Sequence, residues 1–229
     1  VNVLTRKHGG MKTIAIISQK GGAGKTTLAL HLATSASAAG YVSLILDTDP
    51  QATASSWKAW RGDVEPDVVD CAAHALLSRK LEQASELGAE LSIIDTPPHA
   101  DIMAREACRV ADFLLIPCRP RAFDMDAVRT TAELVRASGK PAFVIFTAGP
   151  PRAPQVYKEA AEVVAQFGIP VAPVVLPERA VFHHSVGSGR TAQETEPESK
   201  AAADIALLWN WVCDQVNMPS HKQDDTKTR

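Results

Sequence analysis

Ten consecutive residues, Ser18-Gln19-Lys20-Gly21-Gly22-Ala23-Gly24-Lys25-Thr26-Thr27, follow an apolar run and lead into an Ala- and Leu-rich segment. That order reads as strand, glycine loop, helix. Glycines let backbone N–H groups turn inward around an anion, and a helix N-terminus adds the positive end of its dipole. Lys25 is placed to reach terminal phosphates, and the Thr26 hydroxyl is a ligand type suited to Mg2+. The chemistry implied is binding of ATP with magnesium, with Lys20, Gly21, Gly22, Ala23, Gly24, Lys25, Thr26 and Thr27 around the phosphates. A glycine turn that binds nothing is the bland alternative, and the strand-to-helix setting disfavours it.

Three carboxylates could complete such a site. Asp47 and Asp49 sit in Leu46-Asp47-Thr48-Asp49-Pro50-Gln51, and side chains at alternate positions of an extended segment point the same way. The same residues could instead cap a helix or close a turn. Asp95 ends the run Leu91-Ser92-Ile93-Ile94, at the kind of strand end from which P-loop proteins hold magnesium. Thr96-Pro97-Pro98 then follows as a candidate switch segment.

These residues need a frame that brings strand ends together. Six nearly continuous apolar runs recur: Thr13–Ile17, Val42–Leu46, Leu91–Ile94, Phe113–Ile116, Ala142–Phe146 and Val171–Leu176. Continuity rather than alternation marks strands buried on both faces of a parallel sheet. Helical spacing between them, over Thr26–Ala39, Asp124–Ala137, Gln155–Phe167 and Lys200–Val216, predicts an α/β fold: a doubly wound, mostly parallel sheet flanked by helices. The expected organisation is a flexible extension over 1–10, one domain over 11–217 and a disordered tail over 218–229, with Met11 a candidate start. Ten residues are too few for a helix-turn-helix.

Composition narrows the partners. The 229 residues are 45% hydrophobic with a formal charge of −2, so any DNA contact must come from a local basic patch. Cys71, Cys108, Cys118 and Cys213 form no CxxC pair and read as buried thiols of a reducing compartment. No run approaches the ~20 apolar residues of a membrane span.

The loop departs from the common phosphate loop: Gln19 replaces its first glycine and Lys20 follows. In this it resembles the Lys-Gly-Gly-x-Gly-Lys-Ser/Thr signature of the ParA/MinD family of deviant Walker A ATPases. The Asp-x-Asp-Pro-Gln run and the strand ending in Asp95 are similar to that family's second and third motifs, so the likeness covers about residues 11–217. It implies an ATP-dependent sandwich dimer in which Lys20 reaches the partner's phosphates. By the same likeness Lys20, Lys25 and Asp49 are catalytic, Asp49 orienting the attacking water. Thr26, Asp47 and Asp95 then lie at the metal, while Thr147, Pro177 and Arg179 surround the adenine.

The family divides by what the dimer holds. Small ParA proteins bind nonspecific DNA and release it when a ParB-like adaptor stimulates slow hydrolysis; the resemblance places DNA-contacting residues here at Arg179, Arg190 and Lys200. MinD-like members bind membrane through a basic amphipathic helix, but Ala201–Val216 has no Lys or Arg. The expectation is therefore a cytoplasmic, nucleoid-associated ATPase of plasmid or chromosome partition, with no membrane partner, and a MinD-like positioning ATPase acting on membrane or protein cargo as the alternative. An iron-protein reductase or a tyrosine kinase of this loop type lacks its cysteine or tyrosine signature here.

Overall fold

A strand covered on both faces can be apolar throughout, and the expected runs meet that condition. In the computed structural model, which describes residues 10–99 and 101–222, seven strands form one sheet. They are β1 (Lys12–Ile16), β2 (Ser43–Asp47), β3 (Asp67–Asp70), β4 (Leu91–Asp95), β5 (Phe113–Cys118), β6 (Ala142–Gly149) and β7 (Val171–Pro177). Their order is β3-β2-β4-β1-β5-β6-β7, and every ladder is parallel. Every residue of β2, β4 and β5 is buried.

Nine helices among the described residues cover the sheet: α1 (Lys25–Ala38), α2 (Thr53–Arg61), α3 (Leu77–Glu86), α4 (Asp101–Val110), α5 (Ala122–Ser138), α6 (Pro154–Ala165), α7 (Ala180–Val186), α8 (Ala192–Thr195) and α9 (Lys200–Val216). Alternation along each strand sorts side chains between two cores. Ile14, Ile16, Ile45, Ile93 and Leu115 pack with Leu28 and Leu32 of α1 and Ile205, Leu208 and Val212 of α9. Ala15, Leu46, Ile94, Leu114 and Ile116 pack with Leu77 of α3, Met103 of α4, Val128 of α5 and Val164 of α6.

The doubly wound reading holds, with three differences in detail. β3 was not expected, because its four residues, Asp-Val-Val-Asp, lie at the sheet edge and are mostly exposed, so no apolar run marks them. The short helices α2, α3 and α4 were also unmarked; each buries only one face. Residues 218–222 are not loose as expected. Met218 packs on the core, the Tyr41 hydroxyl donates to the Pro219 carbonyl at 2.7 Å, Trp209 Nε1 donates to the Ser220 carbonyl at 2.9 Å, and the Lys222 N–H donates to the Ala39 carbonyl at 3.0 Å. The extension over 1–9 and the tail over 223–229 lie outside the described residues.

Chain order explains where a site must form. β1 lies centrally, the chain runs out to β2 and β3, returns to β4 between β2 and β1, then continues on the other side through β5. The crevice at the carboxyl ends, where the winding reverses, is the ligand position of such sheets. The register puts Asp95 directly opposite both Ile16 and Asp47.

Two sets of polar contacts tie the outer helices to this crevice. Arg61 of α2 forks onto Glu194 at 2.7 and 3.0 Å and donates to the Gly189 carbonyl at 3.0 Å, and Trp57 Nε1 donates to the Arg190 carbonyl at 3.2 Å. Gly189 is required there: its φ is +69°, and a Cβ would lie 2.5 Å from the Arg61 nitrogen. His31 of α1, fully buried, donates from Nδ1 to the Thr27 carbonyl at 2.7 Å and accepts the Ala192 N–H at Nε2 at 3.0 Å.

That arrangement fixes His31 neutral. Burial lowers its pKa from 6.5 to about 4, against smaller opposing pulls from the Thr27 carbonyl and Glu194. The unfolded chain therefore binds the extra proton first as pH falls, so the stability held by His31 is complete above 6.5 and lost toward 4. Between pH 7.5 and 5 the loss is about 2 kcal/mol. Glutamine can supply both a donor and an acceptor without titrating, so the unfolding free energy of His31→Gln, from denaturant titration, should fall less over that interval than that of wild type by this amount. Other titrating groups are common to both proteins and cancel.

Candidate functional site

β1 enters the phosphate loop at Ile17 and leaves it into α1. Gly24 adopts a left-handed conformation, φ 91° and ψ 22°, which delivers Lys25 as the first residue of the helix. No side chain caps this N-terminus and its first turn has no acid. The backbone donors and the helix dipole are thus directed at an external anion. On the far side, the Thr147 hydroxyl donates to the Ala23 carbonyl at 2.8 Å and braces the loop against the end of β6.

The two lysines differ in setting. Lys25 is buried, and its ammonium donates to the Ser18 and Lys20 carbonyls, both at 3.2 Å. Burial lowers its pKa, while Asp95 and then Asp49 hold it up. Lys20 is half-buried at the loop's rim, and among the described residues its ammonium has neither a hydrogen bond nor an ion pair.

The three carboxylates diverge more sharply. Asp95 is 1% exposed, and neither carboxylate oxygen makes a close hydrogen bond among the described residues. Burial pushes its pKa up to about 7; the nearby Thr26 hydroxyl and Lys25 oppose the rise, while Asp47 and Asp49 add to it. A buried, unsatisfied carboxylate beside a threonine hydroxyl is the oxygen donor set of a magnesium site, and it is costly in any other role. Asp95 and Thr26 therefore fit Mg2+.

Asp47 is engaged otherwise. Its Oδ2 accepts the Ser55 N–H at 2.8 Å and the Ser55 hydroxyl at 2.9 Å, and its Oδ1 accepts the Asp49 N–H at 3.3 Å. Ser55 is the third residue of α2, so Asp47 caps that helix from outside. Asp49 closes a turn, its Oδ1 accepting the Gln51 N–H at 2.9 Å and its carbonyl the Ala52 N–H at 2.8 Å. Both residues thus carry the cap and turn roles left open in the sequence, and Asp49 still bears electrostatically on Lys25 and Asp95. The Thr48 hydroxyl donates to the Asp95 carbonyl at 2.6 Å and the Thr96 hydroxyl to the Ile16 carbonyl at 2.7 Å, pinning the strand ends together.

Beside the loop lies an apolar cavity lined by Thr27, Thr147, Leu176, Pro177, Arg179 and Phe182. Its position next to the α1 N-terminus and its composition suit a planar base. Arg179 faces this cavity, but its guanidinium is committed to Asp204 of α9, at 3.0 and 2.7 Å, which neutralises the charge it was expected to offer DNA. Arg190 and Lys200 are exposed. Glu194, Glu196 and Glu198 lie on the same stretch.

Sequence reasoning missed Ser55, His31, Phe182 and Arg119. For Arg119 a signal existed, since it directly follows a strand whose carboxyl end must face the site. The cysteines are buried and free as expected, with burial raising Cys108 to about 11 and Cys118 and Cys213 to about 12.

A wholly parallel, doubly wound sheet whose first strand runs into a glycine-and-lysine loop at an uncapped helix N-terminus defines a P-loop nucleotide-binding protein. The chain belongs to the CobQ/CobB/MinD/ParA nucleotide binding domain family, which matches residues 14–192. It is 32% identical over 206 residues to the maintenance of carboxysome distribution protein A of Gloeobacter kilaueensis, covering 84% of this chain and 93% of that one. It is 25% identical to the chromosome-partitioning ATPase Soj of Thermus thermophilus, covering 84% and 91%. The structure of the septum site-determining protein MinD with Mg-ADP from Pyrococcus horikoshii superposes with a TM-score of 0.66 at 18% identity, covering 91% of this chain and all of that one. A nucleotide is accordingly the class of ligand the site takes.

Asparagine at position 95 would remove the buried charge. Asp95→Asn should stabilise the nucleotide-free protein by about 1–2 kcal/mol at pH 8, a rise of a few degrees in Tm. In the same variant, titration calorimetry should find that magnesium no longer tightens ATP binding. Magnesium dependence equal to wild type would remove Asp95 from the metal site.

Proposed function

We propose that this chain is a ParA-type positioning ATPase, which closes as an ATP-bound dimer, grips nonspecific DNA and lets go when a partner protein stimulates slow hydrolysis. One observation carries the reading: Lys20 sits on the rim of the phosphate loop with an ammonium that nothing among the described residues of its own subunit binds, while Lys25 already serves the loop from inside. A second fixed ammonium matters when it meets phosphates of another subunit, where it stabilises charge that develops during phosphoryl transfer. Asp49, half-buried beside Lys25, is the acid for orienting water, and Asp47 acts by holding α2 and the Asp49 turn in place.

Cargo is the finer choice. The relative named for carboxysome distribution supports a protein assembly as the object positioned, and Soj supports a DNA cargo; the higher identity of the former favours the protein assembly. A membrane partner is disfavoured by α9. Its Leu208, Trp209, Val212 and Val216 are buried against α1 and β7, and Lys200 at its start is its one basic residue. No helix among the described residues is long and apolar enough to cross a membrane. Arg190 and Lys200 remain as the basic residues for DNA phosphates, doubled by a dimer.

Lys20→Ala should leave ATP binding within a few-fold of wild type yet abolish the ATP-dependent rise in mass seen by light scattering; a variant that still dimerises with ATP sinks the sandwich reading. Asp49→Ala should bind ATP, dimerise and hydrolyse at least tenfold more slowly. For DNA, the double variant Arg190→Ala, Lys200→Ala should weaken ATP-dependent retention of a random duplex by about tenfold at low salt, and wild-type binding should fall steeply as salt rises. Retention unaffected by salt, or by the double variant, places DNA elsewhere or nowhere.

A further inference from the structure

Arg119 stands just beyond β5, against the half of the phosphate loop that has least to hold it. Gly21 and Gly22 are exposed, lack side chains to pack, and among the described residues make no hydrogen bond except one: Arg119 Nη2 donates to the Gly21 carbonyl at 3.2 Å. The guanidinium is so close that a Cβ on Gly22, whose φ is +70°, would lie 3.3 Å from Nη2. The other end of the guanidinium is fixed, with Nε donating to Asp124 Oδ1 at 2.9 Å. Asp124 is buried in the first turn of α5, and its N–H donates to the Arg121 carbonyl at 3.0 Å. The β5–α5 turn thus supplies a rigid, permanently charged fork whose geometry a lysine does not reproduce.

We propose that Arg119, oriented by Asp124, is a positioning residue that holds Gly21 and Gly22 in the phosphate-receiving conformation. Ordering a pair of glycines costs more conformational freedom than ordering any other pair. With the brace present, that cost is met in the folded protein before nucleotide arrives; without it, the cost falls on binding. The same contact fixes the backbone beside Lys20, so the loop lysine is presented from a settled strand of chain. The inference rests on the site binding nucleotide, and it says which residue outside the loop shapes it.

Calorimetry of the full chain with Mg-ADP and Mg-ATP tests it. Arg119→Ala and the longer Arg119→Gln should weaken both nucleotides about tenfold and to the same degree, since the loop as a whole is loosened. Asp124→Asn should weaken them several-fold, and the double variant should be no worse than Arg119→Ala alone, because the two residues act as one device. Hydrogen exchange of the nucleotide-free variants should quicken in the peptide holding Gly21 and Gly22 while β1 and β5 stay protected. Unchanged affinity, additive losses, or exchange that quickens throughout β5 overturns the proposal, and a loss confined to ATP overturns it in favour of direct contact with the terminal phosphate. A wild-type chain that binds neither nucleotide overturns the proposed function as well, which separates the two failures.

Discussion

The structure is organised around a buried carboxylate that makes no close hydrogen bond among the described residues. Asp95 lies at the end of a central strand, both oxygens unsatisfied, with the buried ammonium of Lys25 and the Thr26 hydroxyl nearby. A protein that only had to be stable would place an apolar residue there, because desolvating an unpaired charge is among the more expensive features a core can contain. The surrounding fold tolerates it by clamping the strand ends from both sides, through Thr48 to the Asp95 carbonyl and Thr96 to the Ile16 carbonyl. Magnesium and phosphate held there would offset the buried charge, which would set affinity and stability against each other at one residue.

From that point a mechanical path runs outward through side chains. Asp47, facing Asp95 across the ladder, gives its Oδ2 to Ser55 and accepts the Asp49 N–H at Oδ1. What it does is bind the start of α2 to the sheet. The other end of α2 is gripped by Trp57 and Arg61 against Arg190, Gly189 and Glu194. The segment bearing Asp49 and the segment bearing Arg190 are therefore opposite ends of one short, well-anchored helix. His31 closes the circuit, joining the helix that begins at Lys25 to the Ala192 N–H two residues beyond Arg190.

How much of this the sequence disclosed depends on whether a feature is local. The glycines and lysines of the loop are adjacent, and six strands announced themselves because burial on both faces leaves no polar alternation to disguise them. β3 hid because an edge strand of four residues with an acid at each end has no such run. Arg179 read as a free cation because its partner, Asp204, lies 25 residues further on and meets it only when α9 docks on β7. Asp47 could be read as a ligand or as a cap, and the contact that makes it a cap exists only because the reversal through Pro50–Ala52 brings Ser55 back to it. Residues 218–222 looked loose from their side chains, yet the backbone carbonyls of Pro219 and Ser220 make the attachments, and every sequence offers those equally.

Lys20 gains its meaning by contrast with Lys25. The inner lysine is surrounded: carbonyls at 3.2 Å, carboxylates behind it, and burial that makes its charge costly until phosphate arrives. The outer one shares the same turn of chain, its own carbonyl holding Lys25, but its ammonium has no partner among the described residues. Two cations a few residues apart on one glycine loop would repel each other if both served a single nucleotide in the absence of further negative charge. Directing one inward and one outward resolves that repulsion. It also gives the loop two faces, so that in the proposed dimer a second subunit closing over the first would satisfy the outer lysine by the same chemistry that the inner one obtains at home.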